Sequence, residues 1–325
     1  MSKAIRIHET GGPEVLRWEE VSVAEPGPDQ IRVRHDAVGL NYIDVYHRNG
    51  LYPLASLPAV IGMEGAGRVE AVGANVTGIR PGDRVAYASP PLGAYAEVRL
   101  MPAARVVVLP EAIDGRTAAA MMLQGMTAAY LLRRTYRVQP GDAVLVHAAA
   151  GGVGLILCQW ARHLGATVIG TVGSEAKAQL ARDHGCHHVI LYRQEDFAAR
   201  VREITGGQGV AVVYDGVGRD TFMPSLDCLR RLGMMVSYGN ASGPVPEFAP
   251  ALLGQKGSLF LTRPSLMDYT ARRQDLEAIA ADLFAVVQQG AVRIEINQTY
   301  PLAEAARAHR DLEARQTTGS TVLLP

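Results

Sequence analysis

The stretch VLVHAAAGGVG, residues 144–154, constrains what this chain can fold into more than any other. It joins an apolar, β-branched run to a helical segment through small residues only. On the spacing G-x-G-x-x-G, Ala149, Gly151 and Gly154 take the three places. A glycine at 151 lets a pyrophosphate approach the backbone, and one at 154 lets the helix pack closely on the strand. The helix start adds free N–H groups and a partial positive charge. Alanine at the first place departs from the pattern, and a tight strand-to-helix turn without a ligand is the alternative reading.

The residues that follow favour the dinucleotide. Strand-like runs alternate with helical ones: HHVILY, a helix over 195–204, GVAVVYDGVG, a helix over 219–231, and GMMVSYGN. Such alternation implies a parallel sheet covered on both faces. Upstream, TAAAMMLQGMTAAYLLRRTY has helical composition, whereas the first 110 residues read as short strands separated by turns such as PGPDQ and RPGDRV. Downstream of GSLFLTRP come a long helix near 272–289, a strand near 292–299, a helix at 302–313 and GSTVLLP. These last elements can return to the first domain and make it discontinuous. A length of 325 residues suits two domains.

The second strand of the alternating region indicates which dinucleotide. An NAD site expects an acid about 20 residues past the glycines, on the ribose hydroxyls. Here VIGTVGSEAKAQ places Gly173 and Ser174 at that point, with Lys177 one turn into the next helix. Small residues leave room for a 2′-phosphate, Lys177 supplies positive charge, and Tyr192 can add a hydroxyl donor. NADPH is therefore the expected cofactor. Glu175 argues mildly the other way unless it is a first-turn acid, and Lys177 as a solvated surface lysine is the alternative.

Bulk properties exclude several classes. Lysine plus arginine and aspartate plus glutamate both number 32, so the formal charge is zero and nothing draws the chain to nucleic acid or anionic membrane. MSKAIRIHET lacks an apolar signal core, and no apolar run approaches the roughly 20 residues of a membrane span. The cytoplasm is the expected compartment. Cys158, Cys186 and Cys228 are widely spaced and form no CxxC pair, so buried thiols are expected rather than zinc or disulfides.

Two polar segments interrupt the β-rich part, GLNYIDVYHRNG at 39–50 and IGMEGAG at 61–67. The spacing of Asp44, His47 and Glu64 leaves a metal site open. His47, beside Arg48 in an expected loop, instead suggests a structural or solvent role. His8, His35, His147, His187 and His188 read as packing or edge residues.

Taken in order, GGPEVL, VGLNYIDVYHRNGLYP, IGMEGAGRVEAVG, PGDRVAY, GAYAEVR, LQGMTAAYLL, HAAAGGVG, DGVG, YGNASGPV, RPSL and TTGSTVLLP run nearly end to end. The set resembles the medium-chain dehydrogenase/reductase superfamily, and within it the zinc-independent quinone oxidoreductases related to zeta-crystallin. The resemblance implies an α/β chain with a Rossmann dinucleotide-binding domain inserted into a GroES-like, mostly β catalytic domain. The catalytic domain would take 1–123 and 266–325, and the Rossmann domain 124–265.

Zinc enzymes of the superfamily carry a cysteine ligand where this chain has Asn41 and a histidine where it has Met63, and often a four-cysteine lobe that it lacks. A catalytic zinc needs about three protein ligands, so no metal is expected. Without a Lewis acid the feasible acceptors are already electrophilic ones, quinones or α,β-unsaturated ketones, which take hydride with positioning and hydrogen bonding alone. The resemblance implies NADPH:quinone oxidoreductase activity, with Asn41, Tyr46 and Tyr52 as catalytic orienting groups. A tyrosine or solvent can supply the proton, and packing is the alternative role for Tyr46 and Tyr52.

For cofactor it implies Thr127, Gly152, Val153, Gly173, Ser174, Lys177, Tyr192, Val217, Tyr238, Gly239 and Arg263, beside Ala149, Gly151 and Gly154 of the turn. Leu191 departs from the family's frequent NY pair. The nearest rival is an NADPH-dependent enone, 2-alkenal or enoyl-thioester reductase. A rival of another class is a nucleotide-binding structural or RNA-binding crystallin-like protein, against which the neutral charge weighs. A small-molecule substrate and a homodimer paired through GSLFLTRP complete the expectation.

Overall fold

The computed structural model describes residues 2–325. In chain order the elements are β1 (Ser2–Ile7), β2 (Arg17–Val21), β3 (Gln30–Leu40), α1 (Tyr42–Arg48), β4 (Ala59–Val60), β5 (Glu64–Val72), β6 (Arg84–Ala88), β7 (Val98–Pro102), β8 (Val107–Val108) and α2 (Gly115–Tyr130). There follow β9 (Ala143–Val146), α3 (Gly152–His163), β10 (Thr167–Val172), α4 (Glu175–Asp183), β11 (His188–Leu191), α5 (Phe197–Ile204), β12 (Val210–Asp215), α6 (Phe222–Cys228), β13 (Leu229–Ser237), α7 (Ala251–Gln255), β14 (Phe260–Thr262) and α8 (Leu266–Tyr269). The chain closes with α9 (Arg273–Gln288), β15 (Ile296–Pro301), α10 (Ala305–Glu313) and β16 (Ser320–Leu324).

By contact the chain divides into a unit of residues 1–126, 270–288 and 294–325 and a unit of 127–269 and 289–293. In the first, a sheet of order β15-β16-β3-β5-β6-β8, with β7 also on β3, lies with a smaller sheet β2-β1-β4. The last strand, β16, pairs antiparallel with β3, Thr321 opposite Leu40, so the end of the chain completes this sheet. Its core gathers Ile5, Ile31, Val33, Val38, Ile61, Val85, Tyr95, Met101 and Leu323, all essentially without solvent exposure.

The second unit is one six-stranded sheet of order β11-β10-β9-β12-β13-β14, parallel throughout. That order, 3-2-1-4-5-6 in local numbering, is the doubly wound dinucleotide-binding arrangement. β12, VAVVYD, is buried at every residue, as a central strand covered on both faces must be. Leu145, Ile169, Ile190, Val213, Phe222, Leu226 and Met235 join sheet and helices in a single core.

Two local expectations change. The segment expected as a helix over 219–231 is helical only from Phe222 to Cys228. Asp215 at the end of β12 accepts from the backbone N–H of Val217 and Gly218 and from Thr221 Oγ1, which holds 216–221 as a turn. At the other end Leu229 pairs with Val210 and starts β13. The stretch around His47 is also no loop: Tyr42–Arg48 is a helix, begun where the Asn41 N–H donates to Asp44 Oδ2 at 2.9 Å.

Candidate active site

In the first unit, strand register assembles the polar residues. Gly39 of β3 lies opposite Glu64 of β5, and Leu40 opposite Thr321 of β16, so Asn41, Glu64 and Ser320 converge at one end of the sheet. From α2, Gln124 and the backbone of Leu123 meet them. Asn41 Nδ2 donates to Glu64 Oε2 at 2.7 Å, and Leu123 N–H donates to Glu64 Oε1 at 2.7 Å. On the other side Gln124 Nε2 donates to Asn41 Oδ1 at 3.1 Å. Glu64 is fully buried, and burial pushes its carboxyl up to about 8 against the pull of these two short bonds.

Asp44 is equally buried and raised by burial to about 7. It takes Tyr95 Oη at 3.0 Å, and Tyr95 Oη also meets His309 Nε2 at 3.0 Å. His309 Nδ1 lies 2.9 Å from Arg48 Nη1, and burial holds this imidazole down at about 3. The ring is therefore neutral, accepts from Arg48 at Nδ1 and donates to Tyr95 from Nε2. Arg48 in turn makes a two-pronged bond to Glu313, both contacts 2.8 Å, with its side chain 2% exposed. The expected loop is thus a helix whose arginine is buried and tied to α10.

Tyr46 is buried with its ring 5.1 Å from that of Tyr52, edge to face. The His47 ring lies 5.8 Å from Tyr52, also edge to face, and burial lowers its pKa. His47 therefore packs as a neutral ring. Among the described residues no three His, Cys, Asp or Glu side chains are grouped to hold a metal ion.

In the second unit the expected cofactor residues gather at the carboxyl ends of the parallel strands, with the exception of Thr127, which is buried in α2. After β9, Ala148 takes the left-handed conformation (φ 51°), Ala149 N–H donates to Thr171 O at 3.1 Å, and Gly151 N–H to Ala148 O at 2.9 Å. His147 braces this turn from below: Nδ1 lies 2.8 Å from Thr171 Oγ1 and Nε2 2.8 Å from Ser225 Oγ. A Cβ on Gly154 would fall 2.3 Å from Ala148 O, so helix and turn touch there. At Gly151 a Cβ would meet only Ala148 O, at 3.2 Å, leaving a backbone open to an approaching group. Gly152 and Val153 open α3 half-buried.

After β10, Ser174 caps α4, its Oγ accepting from Lys177 N–H at 3.5 Å. Glu175, the residue that argued against a phosphate, pairs instead with Arg182 at 2.9 Å. A Cβ on Gly173 would lie 2.9 Å from Tyr192 Oη and 3.5 Å from Arg193 Nε. Tyr192 Oη and Arg193 Nε thus lie beside Gly173, the residue before the Ser174 cap. Val217 follows β12, Tyr238 and Gly239 follow β13, and Arg263 follows β14 with Nη1 3.3 Å from Pro264 O.

Arg193, next to Tyr192, and Gln124, the one polar side chain in the apolar run AAAMMLQGM, lie outside the site residues expected from sequence, and Glu64 is among them only as a possible metal ligand.

A parallel sheet of this order, with small residues at its first strand-to-helix turn, defines a dinucleotide-binding protein of the Rossmann class. Comparison with known proteins agrees. The family model "Alcohol dehydrogenase GroES-like domain" matches residues 27–111, and "Zinc-binding dehydrogenase" matches 152–285. A quinone oxidoreductase of Pseudomonas aeruginosa is 54% identical over all of both chains. A 2-haloacrylate reductase of a Burkholderia species is 51% identical over all of this chain and 99% of its own. Among solved structures, the quinone oxidoreductase of Escherichia coli complexed with NADPH superposes with a TM-score of 0.98 at 50% identity, covering 99% of this chain and 100% of its own. The chain belongs to the quinone oxidoreductases of the medium-chain dehydrogenase/reductase superfamily.

Proposed function

We propose that this protein reduces quinones with NADPH and without a catalytic metal. The observation that carries the reading is Asn41. Where zinc-dependent members of the superfamily place a thiolate, this chain has an amide bonded to Glu64 on one side and Gln124 on the other, with one N–H left to offer an acceptor. Met63 stands at a second ligand position, so the residues present do not fit a zinc ion.

They do fit the nucleotide. Gly151 to Gly154 and the helix start of α3 would hold its pyrophosphate, and Ser174, Lys177, Tyr192 and Arg193 its 2′-phosphate. Thr127, Val217, Tyr238, Gly239 and Arg263 would complete its seat. When bound, NADPH supplies the hydride that an electrophilic acceptor takes up. The protein's part is to orient that acceptor. Asn41 Nδ2 donates to a carbonyl oxygen as it gains negative charge, and the hydroxyls of Tyr46 and Tyr52 do the same from α1 and the turn after it. The proton comes from one of these hydroxyls or from solvent.

The 51% identity to a 2-haloacrylate reductase favours a second reading, an activated alkene as acceptor. Side-by-side turnover of a para-quinone, a 2-alkenal and crotonyl-CoA tests both. Quinone reduction well above the others supports the first, and preference for the alkenal replaces it by the second. We further propose a cytoplasmic homodimer. No described helix is long and apolar enough to cross a membrane, and β14, at the edge of its sheet, leaves Phe260 56% exposed.

A further inference from the structure

Four side chains from distant parts of the sequence form one buried row in the first unit. Ser320 Oγ donates to Gln124 Oε1 at 2.8 Å, Gln124 Nε2 to Asn41 Oδ1 at 3.1 Å, and Asn41 Nδ2 to Glu64 Oε2 at 2.7 Å. The other carboxylate oxygen takes Leu123 N–H at 2.7 Å. An amide side chain can bond in either orientation, so something must choose. With Glu64 ionised the choice at that end is fixed, because a backbone N–H only donates and a carboxylate only accepts, whereas the protonated acid could also donate to Asn41 Oδ1. Glu64 is also confined: a Cβ on Gly39 would fall 2.3 Å from Oε2 and 2.3 Å from Ala119 O.

We propose that Glu64 is a positioning residue that sets the orientation of the Asn41 amide, with Gln124 holding its far side. The carboxylate draws Nδ2 toward itself, Gln124 covers Oδ1, and the second Nδ2 hydrogen is what Asn41 presents to the acceptor. A reversed Asn41 would turn a carbonyl lone pair toward an oxygen gaining negative charge and lose its stabilising effect. The proposal rests on the reading above that Asn41 donates to the acceptor.

The test exchanges the ends of the row. In the double variant Glu64→Gln, Gln124→Glu every bond can still form with Asn41 turned round. The introduced amide at 64 takes Leu123 N–H and donates to Asn41 Oδ1, while the introduced carboxylate at 124 accepts from Asn41 Nδ2 and Ser320 Oγ. The expected result, assayed above the value of about 8 to which burial raises Glu64 so that its carboxylate is ionised, is a folded protein with native NADPH affinity by nucleotide fluorescence, and kcat/KM for a para-benzoquinone lower by on the order of a hundredfold.

A double variant that binds NADPH normally and reduces the quinone within about threefold of the native rate overturns the proposal. If the exchange does not fold, the isosteric Glu64→Gln alone is read the same way, its quinone kcat/KM falling at constant NADPH affinity; no fall overturns the proposal. Asn41→Ala separates the two levels. Loss of quinone turnover in Asn41→Ala with none in the double variant overturns only the positioning role, whereas a fully active Asn41→Ala overturns both it and the reading it rests on.

Discussion

One methyl group added at Gly154 and the same group added at Gly151, three residues away, are expected to do different things. At Gly154 the new Cβ would sit 2.3 Å from Ala148 O and 2.9 Å from Ala149 Cα and C, where ordinary contact begins near 3.4 Å. The helix α3 must then retreat from the turn by about 1 Å, a strain costing about 1–3 kcal/mol of stability. Because the helix start would bind phosphate, a shift of that size also weakens NADPH by roughly ten- to a hundredfold.

Gly151 has φ −81° and ψ 173°, which any residue adopts, and its Cβ would touch only Ala148 O. Gly151→Ala should therefore fold as well as the native chain or gain about 0.4–1 kcal/mol from its stiffer unfolded state, yet bind NADPH poorly because the methyl group occupies the approach. Urea denaturation paired with fluorescence titration of NADPH reads both quantities. Native stability in Gly154→Ala, or native affinity in Gly151→Ala, refutes the reasoning for that glycine.

Lys177→Glu is expected to raise the Kd for NADPH at least tenfold more than that for NADH, about 1.4 kcal/mol of selectivity; equal losses by titration would show that Lys177 does not meet the 2′-phosphate. Arg48→Met removes one partner of a pair whose arginine is 2% exposed and leaves His309 and Glu313 without it. A loss of about 3 kcal/mol is expected in urea denaturation, toward the low end for a buried pair because Glu313 is 35% exposed.

Stability should also fall as pH rises from about 6.5 to 8. Burial raises Asp44 to about 7 and Glu64 to about 8, so over this window the folded chain binds more protons than the unfolded one. Below about 6.5 the buried rings of His35, at about 4, and His309, at about 3, act in the opposite sense. Thermal midpoints across this range should drop less steeply in Glu64→Gln than in the native protein, and identical slopes would count against burial as the cause.

What the sequence revealed was what local pattern can carry. The alternation after residue 144 and the small-residue turn led to a doubly wound parallel sheet, because strand hydrophobicity and helix starts are written within ten residues of each other. The row of Ser320, Gln124, Asn41 and Glu64 was not legible, since its members lie up to 279 residues apart, from Asn41 to Ser320, and meet only through the β3–β5 and β16–β3 registers and the packing of α2 at their end. The tie between Arg48 and Glu313 was hidden for the same reason, the two lying 265 positions apart. The helix at Tyr42–Arg48 had a local signal, an asparagine followed three residues later by an aspartate, that the polar composition of the stretch obscured.

The most direct test of metal-free quinone reduction is turnover by purified protein after exhaustive treatment with a strong chelator, with bound metal quantified in the same sample. NADPH oxidation by a para-quinone should continue at the untreated rate with far less than one metal ion per chain. Activity that disappears on chelation and returns with added zinc would contradict it.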